Sequence, residues 1–310
     1  MNNCQNQLSS ESAANGGLWT DALRRLGRRK AAVVCFVVIA AYFSLAAVVH
    51  LAEIFDWKPA IIRYNQQVGT AYERPGLQHP FGTDMFGQSV LRKTLYGAKV
   101  SLTVALCASF ISIIIGISLG AMAGYFRGFI DQAVTWVYST LSSVPYILLI
   151  LGFAVVLRNR SILGLRPSGA ATACIAMGLT SWVGICRLVR GEVLKRAKSE
   201  YVLAAESYGC SSFRIILKHL MPNIFHIVII DFCLRFVRFV HAEVVLSFLG
   251  LGEQSGCSWG MMISDARLEL LRGVWWQMTA ATAAILLISL ALNVFGDALR
   301  DCLDPELRIQ

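Results

Sequence analysis

Apolar runs about twenty residues long alternate with shorter polar stretches through most of this chain. The first, about 31–51, follows a polar leader over residues 1–18 and a basic group, Arg24, Arg25, Arg28, Arg29 and Lys30. About twenty apolar residues in a helix are long enough to cross the hydrocarbon of a bilayer. The pattern recurs at about 100–124, 133–157, 170–189, 223–246 and 276–296, which predicts six transmembrane helices and an all-α integral membrane protein. Pro145 should kink the third helix, because proline cannot donate the backbone hydrogen bond its position requires. The first run sits behind a long polar leader and exceeds the apolar segment of a signal peptide, so it reads as a retained span. Residues 1–18 have the composition of a disordered leader. Residues 19–30, with Trp19 and the five cations, read as an interfacial helix. The stretch between helices five and six is rich in Gly and polar residues and reads as a loop.

Composition agrees with this pattern. Hydrophobic residues make up 56% of the chain and charged residues 15%, well away from the mix of soluble domains. The formal net charge is +9, but the cations flank apolar runs, which suits anionic lipid and topology signalling rather than nucleic acid. Five cations occupy 24–30 and none follows helix one for six residues, so both termini are expected in the cytoplasm. Of the nine cysteines, Cys35, Cys107, Cys174, Cys186 and Cys233 lie inside apolar runs and act as small hydrophobes. No C-x-x-C and no Cys/His zinc spacing occurs, so neither a disulfide framework nor a metal site is expected.

The informative polar stretch is 199–222. Ser199 can cap a short helix with Glu200 near its positive end, and Gly209 offers a left-handed stop. Ser211 or Ser212 can cap a second helix that runs to Pro222 and leads into helix five. Ala204 and Ala205 offer a small-residue surface that another protein can approach closely. An ordinary connecting loop would be shorter than this one.

The order Ala204-Ala205, three residues, Gly209, then Pro222 resembles the EAA loop of ABC importer permeases. Two further stretches narrow the resemblance. His79-Pro80-Phe81-Gly82-Thr83-Asp84 with Gly87 is similar to the segment before the core domain in peptide and nickel importer permeases, and Glu243 to Gly252 with Trp259-Gly260 is similar to their helix-five exit. The ending Asn293 to Pro305 resembles the C-type subunit of the oligopeptide, dipeptide and nickel importers. The resemblance covers about residues 22–308. It implies a type I ABC importer permease fold, divided into a leader (1–30), a first helix with an extracytoplasmic segment (31–99) and a five-helix core (100–310). It also implies that 199–222 forms a coupling helix docking on a cytoplasmic ATPase through Leu203, Ala204, Ala205, Glu206, Gly209 and Pro222. Leu203 stands where the family usually has Glu, so the contact is more apolar or the charge comes from Glu206 or Glu200.

The chain has no phosphate-cradling G-x-x-x-x-G-K-[ST] and no hydrolase motif, so no catalytic residue is assigned and energy must come from elsewhere. The resemblance implies two ATPase subunits holding ATP and Mg, a second permease, an extracytoplasmic binding protein and a bacterial inner-membrane location, with no cofactor on this chain. Gly116, Gly120 and Gly124 form a small-residue ladder that lets another helix approach.

Helix five carries Asp231, Arg235, Arg238, His241 and Glu243. Charges at membrane depth face protein or water. Asp231 and Arg235 are spaced to pair, with Arg238 near the same face. Two readings stand: the stripe lines a translocation path and meets the charged ends of a peptide, or it is an ion pair or a bridge to a partner permease. Glu243 suits capping of a neighbouring element. The expected function is peptide import. The alternatives are nickel import by the same family, with His226 and His241 in helix five, a gradient-driven transporter using Asp231 and Glu243, and a membrane scaffold.

Overall fold

The computed structural model describes residues 24–56, 63–158, 169–252 and 256–303. Trp19, the leader, Pro59 and the end of the tail lie outside the described residues. The described chain is helical, with isolated bridges only at Gln67–Gln88 and Thr83–Ser89. It holds five helices long and apolar enough to span a membrane, and a sharply bent pair brings the number to six when counted as one span.

The first span, α1 (Lys30–Ile54), lies outside the rest and buries only Ala32, Ala46, Val49 and Ala52. Aromatic pairs seat it: Phe36 on Phe295, Phe43 on Phe236 and Tyr42 edge-on to Trp259. Helix α2 (Val90–Phe126) begins at Val90 rather than near residue 100, so the division expected at residue 99 falls within it. Its first turns are polar yet paired. Lys93 meets Asp84, and both Tyr96 and Lys99 reach Glu53 of α1.

The expected single third helix is two, α3 (Gly128–Ser142) and α4 (Tyr146–Arg158), which meet at 95°. Pro145 removes a donor, and nearby hydroxyls turn the kink into a corner. Thr140 Oγ1 donates to Trp136 O, Ser142 Oγ to Tyr138 O and Ser143 Oγ to Thr140 O, at 2.7–2.9 Å. These bonds occupy carbonyls at the end of α3. The fourth span is α5 (Gly169–Thr180) followed by α6 (Val183–Arg196).

The glycine ladder of α2 packs on α6. A Cβ at Gly116 would fall 2.0 Å from Ile185 Cγ2, and one at Gly120 would fall 2.6 Å from Cys186 O. In lipid, where the surrounding tails are as apolar as leucine, close backbone approach of this kind stabilises a helix pair through van der Waals contact.

Next come α7 (Glu200–Ser207) and a helical run as long as α2. The run starts at Ser212, passes through a π-helical turn (Ile215–Leu220) and continues as α8 (Met221–Phe248). Pro222 therefore does not interrupt the path. It sits at the start of α8, directly after the wider turn, where its missing N–H is accommodated. The expected loop after helix five contains another helix, α9 (Trp259–Leu270), capped by Ser258, whose Oγ accepts from Met261 N at 3.3 Å. The last span is α10 (Trp276–Leu303). Arg29 and Asp301 pair at 2.7 Å, so the start of α1 and the end of α10 lie on the same side.

Candidate functional site

Three groups of residues are candidates for function: the α7 hairpin, a cavity at the α3–α4 corner and a polar cap at the opposite end of the bundle.

The hairpin packs against its neighbours as one unit. Val202 and Ala205 of α7 are buried against Val193, Ile215, Ile216 and Leu220. Gly209 has φ +72°, the left-handed stop expected of it. Cys210 N donates to Ala205 O and Gly209 N to Glu206 O, the paired bonds of a Schellman motif. Two expectations need correcting. Ser199 occupies the N-cap position, but its hydroxyl turns back to donate to Arg196 O and does not cap α7. Ser211 holds the corresponding backbone position before the next helix, again without a side-chain cap bond. Ala204 and Ala205 do not form one surface either: at helical spacing Ala204 faces out while Ala205 is inside. The exposed side carries Leu203, Tyr208, Phe213 and Leu217 at 50–83% exposure. Glu206 is exposed, and its carboxylate accepts a 2.9 Å bond from Tyr125 OH at the end of α2. Glu200 is exposed at the first turn of α7.

The cavity has a volume of ≈ 620 Å³ and opens where the α3–α4 corner meets α6 and α8. Ser142, Ser143 and Pro145 line it from the corner, Ser181 and Gly184 from the α5–α6 junction, and Arg235 and Arg238 from α8. Arg235 pairs with Asp231 one turn earlier on α8, as the spacing predicts. Its guanidinium lies over Gly184, where a Cβ would fall 2.6 Å from both terminal nitrogens. Arg238 is exposed and makes no ion pair among the described residues. Tyr146 OH shares a 3.1 Å hydrogen bond with Ser181 Oγ across the cavity. A second hollow of ≈ 230 Å³ adjoins it, lined by Ile147, Ile150, Leu151, Ala242 and Val245, and Tyr146 and Arg238 line both.

Glu243, one turn and a half beyond Arg238, is fully buried. It accepts 2.7 Å from Ser247 Oγ, while Oε2 has no hydrogen bond. The hydroxyls of Ser101 and Ser258 are close by. Ser258 is the N-cap of α9, so the acid sits beside the positive end of a helix, but the cap bond to Met261 N is made by Ser258, and Glu243 does not take the expected capping role.

At the end of the bundle away from α7, the loop 63–89 closes over α9 and α10. Asp84 Oδ1 accepts from Phe86 N and Gln88 N, and Lys93 holds the other oxygen. Thr83 O accepts from Trp276 Nε1 at 2.8 Å, and Met85 N donates to Glu269 Oε1 at 3.1 Å. Gly82 and Gly87 take φ +66° and +71°. The His79–Asp84 stretch with Gly87 thus has a structural reason for its residue types. Burial raises the Asp265 and Glu269 carboxyls above the usual carboxylate range and pushes the Cys257 thiol up to about 12. Sequence reasoning missed Glu269 and Trp276. The buried spacing Trp259, Met262, Ala266, Glu269 was the available signal for α9.

Residues 116–309 match the family described as "Binding-protein-dependent transport system inner membrane component". The chain is 37% identical to the dipeptide transport system permease protein DppC of Bacillus subtilis (strain 168), over 93% of this chain and 86% of that protein. It is 31% identical to the oligopeptide transport system permease protein OppC of the same organism, over 99% and 100%. A chain of the MetNI methionine ABC transporter in an inward-facing conformation shares the fold, with a TM-score of 0.53 at 16% identity, covering 66% of this chain and 94% of that one. With its membrane-length helices, this chain belongs to the family of inner membrane components of binding-protein-dependent transport systems.

Proposed function

We propose that this chain is a permease subunit of an ATP-driven importer of peptides. The observation that carries the reading is the α7 hairpin, packed through Val202 and Ala205 and turning Leu203, Ala204 and Tyr208 outward at one end of a membrane bundle. An apolar, firmly held projection of this kind suits docking into a groove on a partner. Leu203 supplies apolar contact where the related loops carry Glu, and Glu206, steadied by Tyr125, supplies the charge.

The partner on that side is a pair of ATPase subunits, which bind ATP and Mg. A second permease completes the path, and an extracytoplasmic binding protein delivers substrate at the 63–89 end. Both termini are then cytoplasmic, and Arg24, Arg25, Arg28 and Lys30 meet anionic lipid. The names of the relatives and the cavity both support peptide as the cargo. Asp231, Arg235 and Arg238 line the path, and nucleotide binding biases the bundle between two states.

The test has two parts. Cells depleted of this chain should lose uptake of a labelled dipeptide or pentapeptide and recover it on complementation, while radioactive nickel uptake stays constant. Loss of nickel alone would overturn the cargo. In the second part, Gly209→Val should lower retention of ATPase subunits in the purified complex more than tenfold. A Cβ at Gly209 meets nothing within 4 Å, so the cost is the left-handed backbone, about 1–2 kcal/mol, and it falls on the α7 stop. Unchanged retention would remove the docking role from α7.

A further inference from the structure

Arg238 lies well inside the span α8, between Met221 and Phe248, yet it is exposed and has no ion-pair partner among the described residues. A bare guanidinium at that depth cannot face lipid without a cost of at least ~2.5 kcal/mol. It must meet water, an anionic ligand or a carboxylate of another chain.

Its surroundings favour a ligand of particular shape. On one side is the larger cavity, where Ser142, Ser181 and the paired Arg235 place polar groups among mostly apolar walls, and among its described lining residues there is no Asp or Glu. On the other side is the apolar hollow of Ile147, Ile150, Leu151 and Val245, roomy enough for one Leu- or Phe-sized side chain. His241 also borders the hollow, and its Nε2 is engaged with Ser289 Oγ at 3.1 Å. A cation between a cavity that offers hydroxyls and a second guanidinium and an almost wholly apolar hollow matches the end of a peptide, where carboxylate and last side chain leave the same carbon.

We propose that Arg238 receives the C-terminal carboxylate of the transported peptide and that the adjoining hollow takes the side chain of its last residue. This makes Arg238 a specificity residue for peptides ending in an apolar amino acid. The proposal rests on the reading of the chain as a peptide importer permease.

The experiment uses the full transporter in proteoliposomes and measures maximal uptake of Ala-Leu and Ala-Gly. A charge-assisted hydrogen bond is a strong one, so Arg238→Gln should lower uptake of both peptides about tenfold with the complex intact, and Arg238→Lys should restore most of it. Ala242→Leu, which narrows the hollow, should lower Ala-Leu uptake about tenfold and leave Ala-Gly within about twofold. A dipeptide ending in 4-benzoylphenylalanine should photocrosslink to Ile150, Leu151 or Val245.

Several results would overturn the proposal while leaving the importer reading standing. These are uptake within twofold for Arg238→Gln, equal effects of Ala242→Leu on both peptides, or crosslinks confined to other residues. Loss of the partner permease on Arg238→Gln would assign the charge to a protein carboxylate at the subunit contact. If the unaltered transporter moves neither peptide, the importer reading fails first and takes the proposal with it.

Discussion

Gly120→Val is expected to destabilise the purified chain by about 3 kcal/mol, at the upper end of the usual cost of overpacking. The added Cβ would meet Cys186 O at 2.6 Å, Val189 Cβ at 3.1 Å and Arg190 N at 3.2 Å. Two of these atoms belong to the backbone of α6 and cannot rotate aside, so α2 and α6 must separate. Gly116 and Gly124 make the same kind of contact one turn to either side, with Ile185, Trp182 O, Val193 and Arg190 O. The whole crossing would have to open, and the dispersion contact along it would be lost. The matched control is Gly152→Val in α4, where a Cβ meets nothing within 4 Å. Thermal unfolding in detergent, followed by size-exclusion recovery after heating, reads the difference. Equal losses for the two variants would mean that the ladder is not a packing device.

Breaking the buried pair on the opposite side of the molecule should cost as much or more. Asp84 is 1% exposed and Lys93 7%. Replacing Lys93 with Met leaves a buried carboxylate with two backbone donors and no cation, a change expected to cost about 3–5 kcal/mol. Asp84→Asn leaves the ammonium unpaired instead. The double variant Asp84→Asn with Lys93→Met should be more stable than the sum of the singles implies, because no bare charge remains. The loss should also be local. Asp84 organises the turn that presents Thr83 O to Trp276 and Met85 N to Glu269, so limited proteolysis should cut within 63–89 before the bundle unfolds. Additive losses across the cycle would show that Asp84 and Lys93 act separately.

Much of the bundle was legible because a bilayer imposes a coarse rule, twenty apolar residues per crossing, and five of the six runs obey it in one helical path. The third did not. Pro145 announced a kink, but the corner also needed Thr140, Ser142 and Ser143 to bond their own carbonyls, and local pattern does not weigh three hydroxyls against a helix. Helix α9 escaped notice because Gly and polar residues precede it and because its buried face includes Glu269, which reads as polar. At the α7 hairpin the alanine pair and Gly209 were visible as a motif, and Gly209 behaves as its residue type requires. Which alanine faces out depends on the packing of Val202 and Ala205 against α6 and the π-helical turn, and that is a tertiary matter. The glycine ladder was visible as a packing signal, but nothing in the spacing of Gly116 and Gly120 names α6 as the partner. The Asp231–Arg235 pair follows from i,i+4 geometry. The two hollows that share Arg238 do not, because their walls come from α3, α4, α5, α6 and α8 together.

The unbroken run from Ser212 to Phe248 has a mechanical meaning. From Ser212 to Arg238 is about 39 Å of helix at the usual rise per residue. One end of this rod is clasped by α7 through Val202 and Ala205, and the far portion carries both cavity arginines. On the proposed docking role of α7, a push there would reach Arg238 along one continuous helix rather than through a relay of loops. The π-helical turn at Ile215–Leu220 is the one irregular joint along it, so on that role the length of any stroke at the cavity would depend on how far this joint gives.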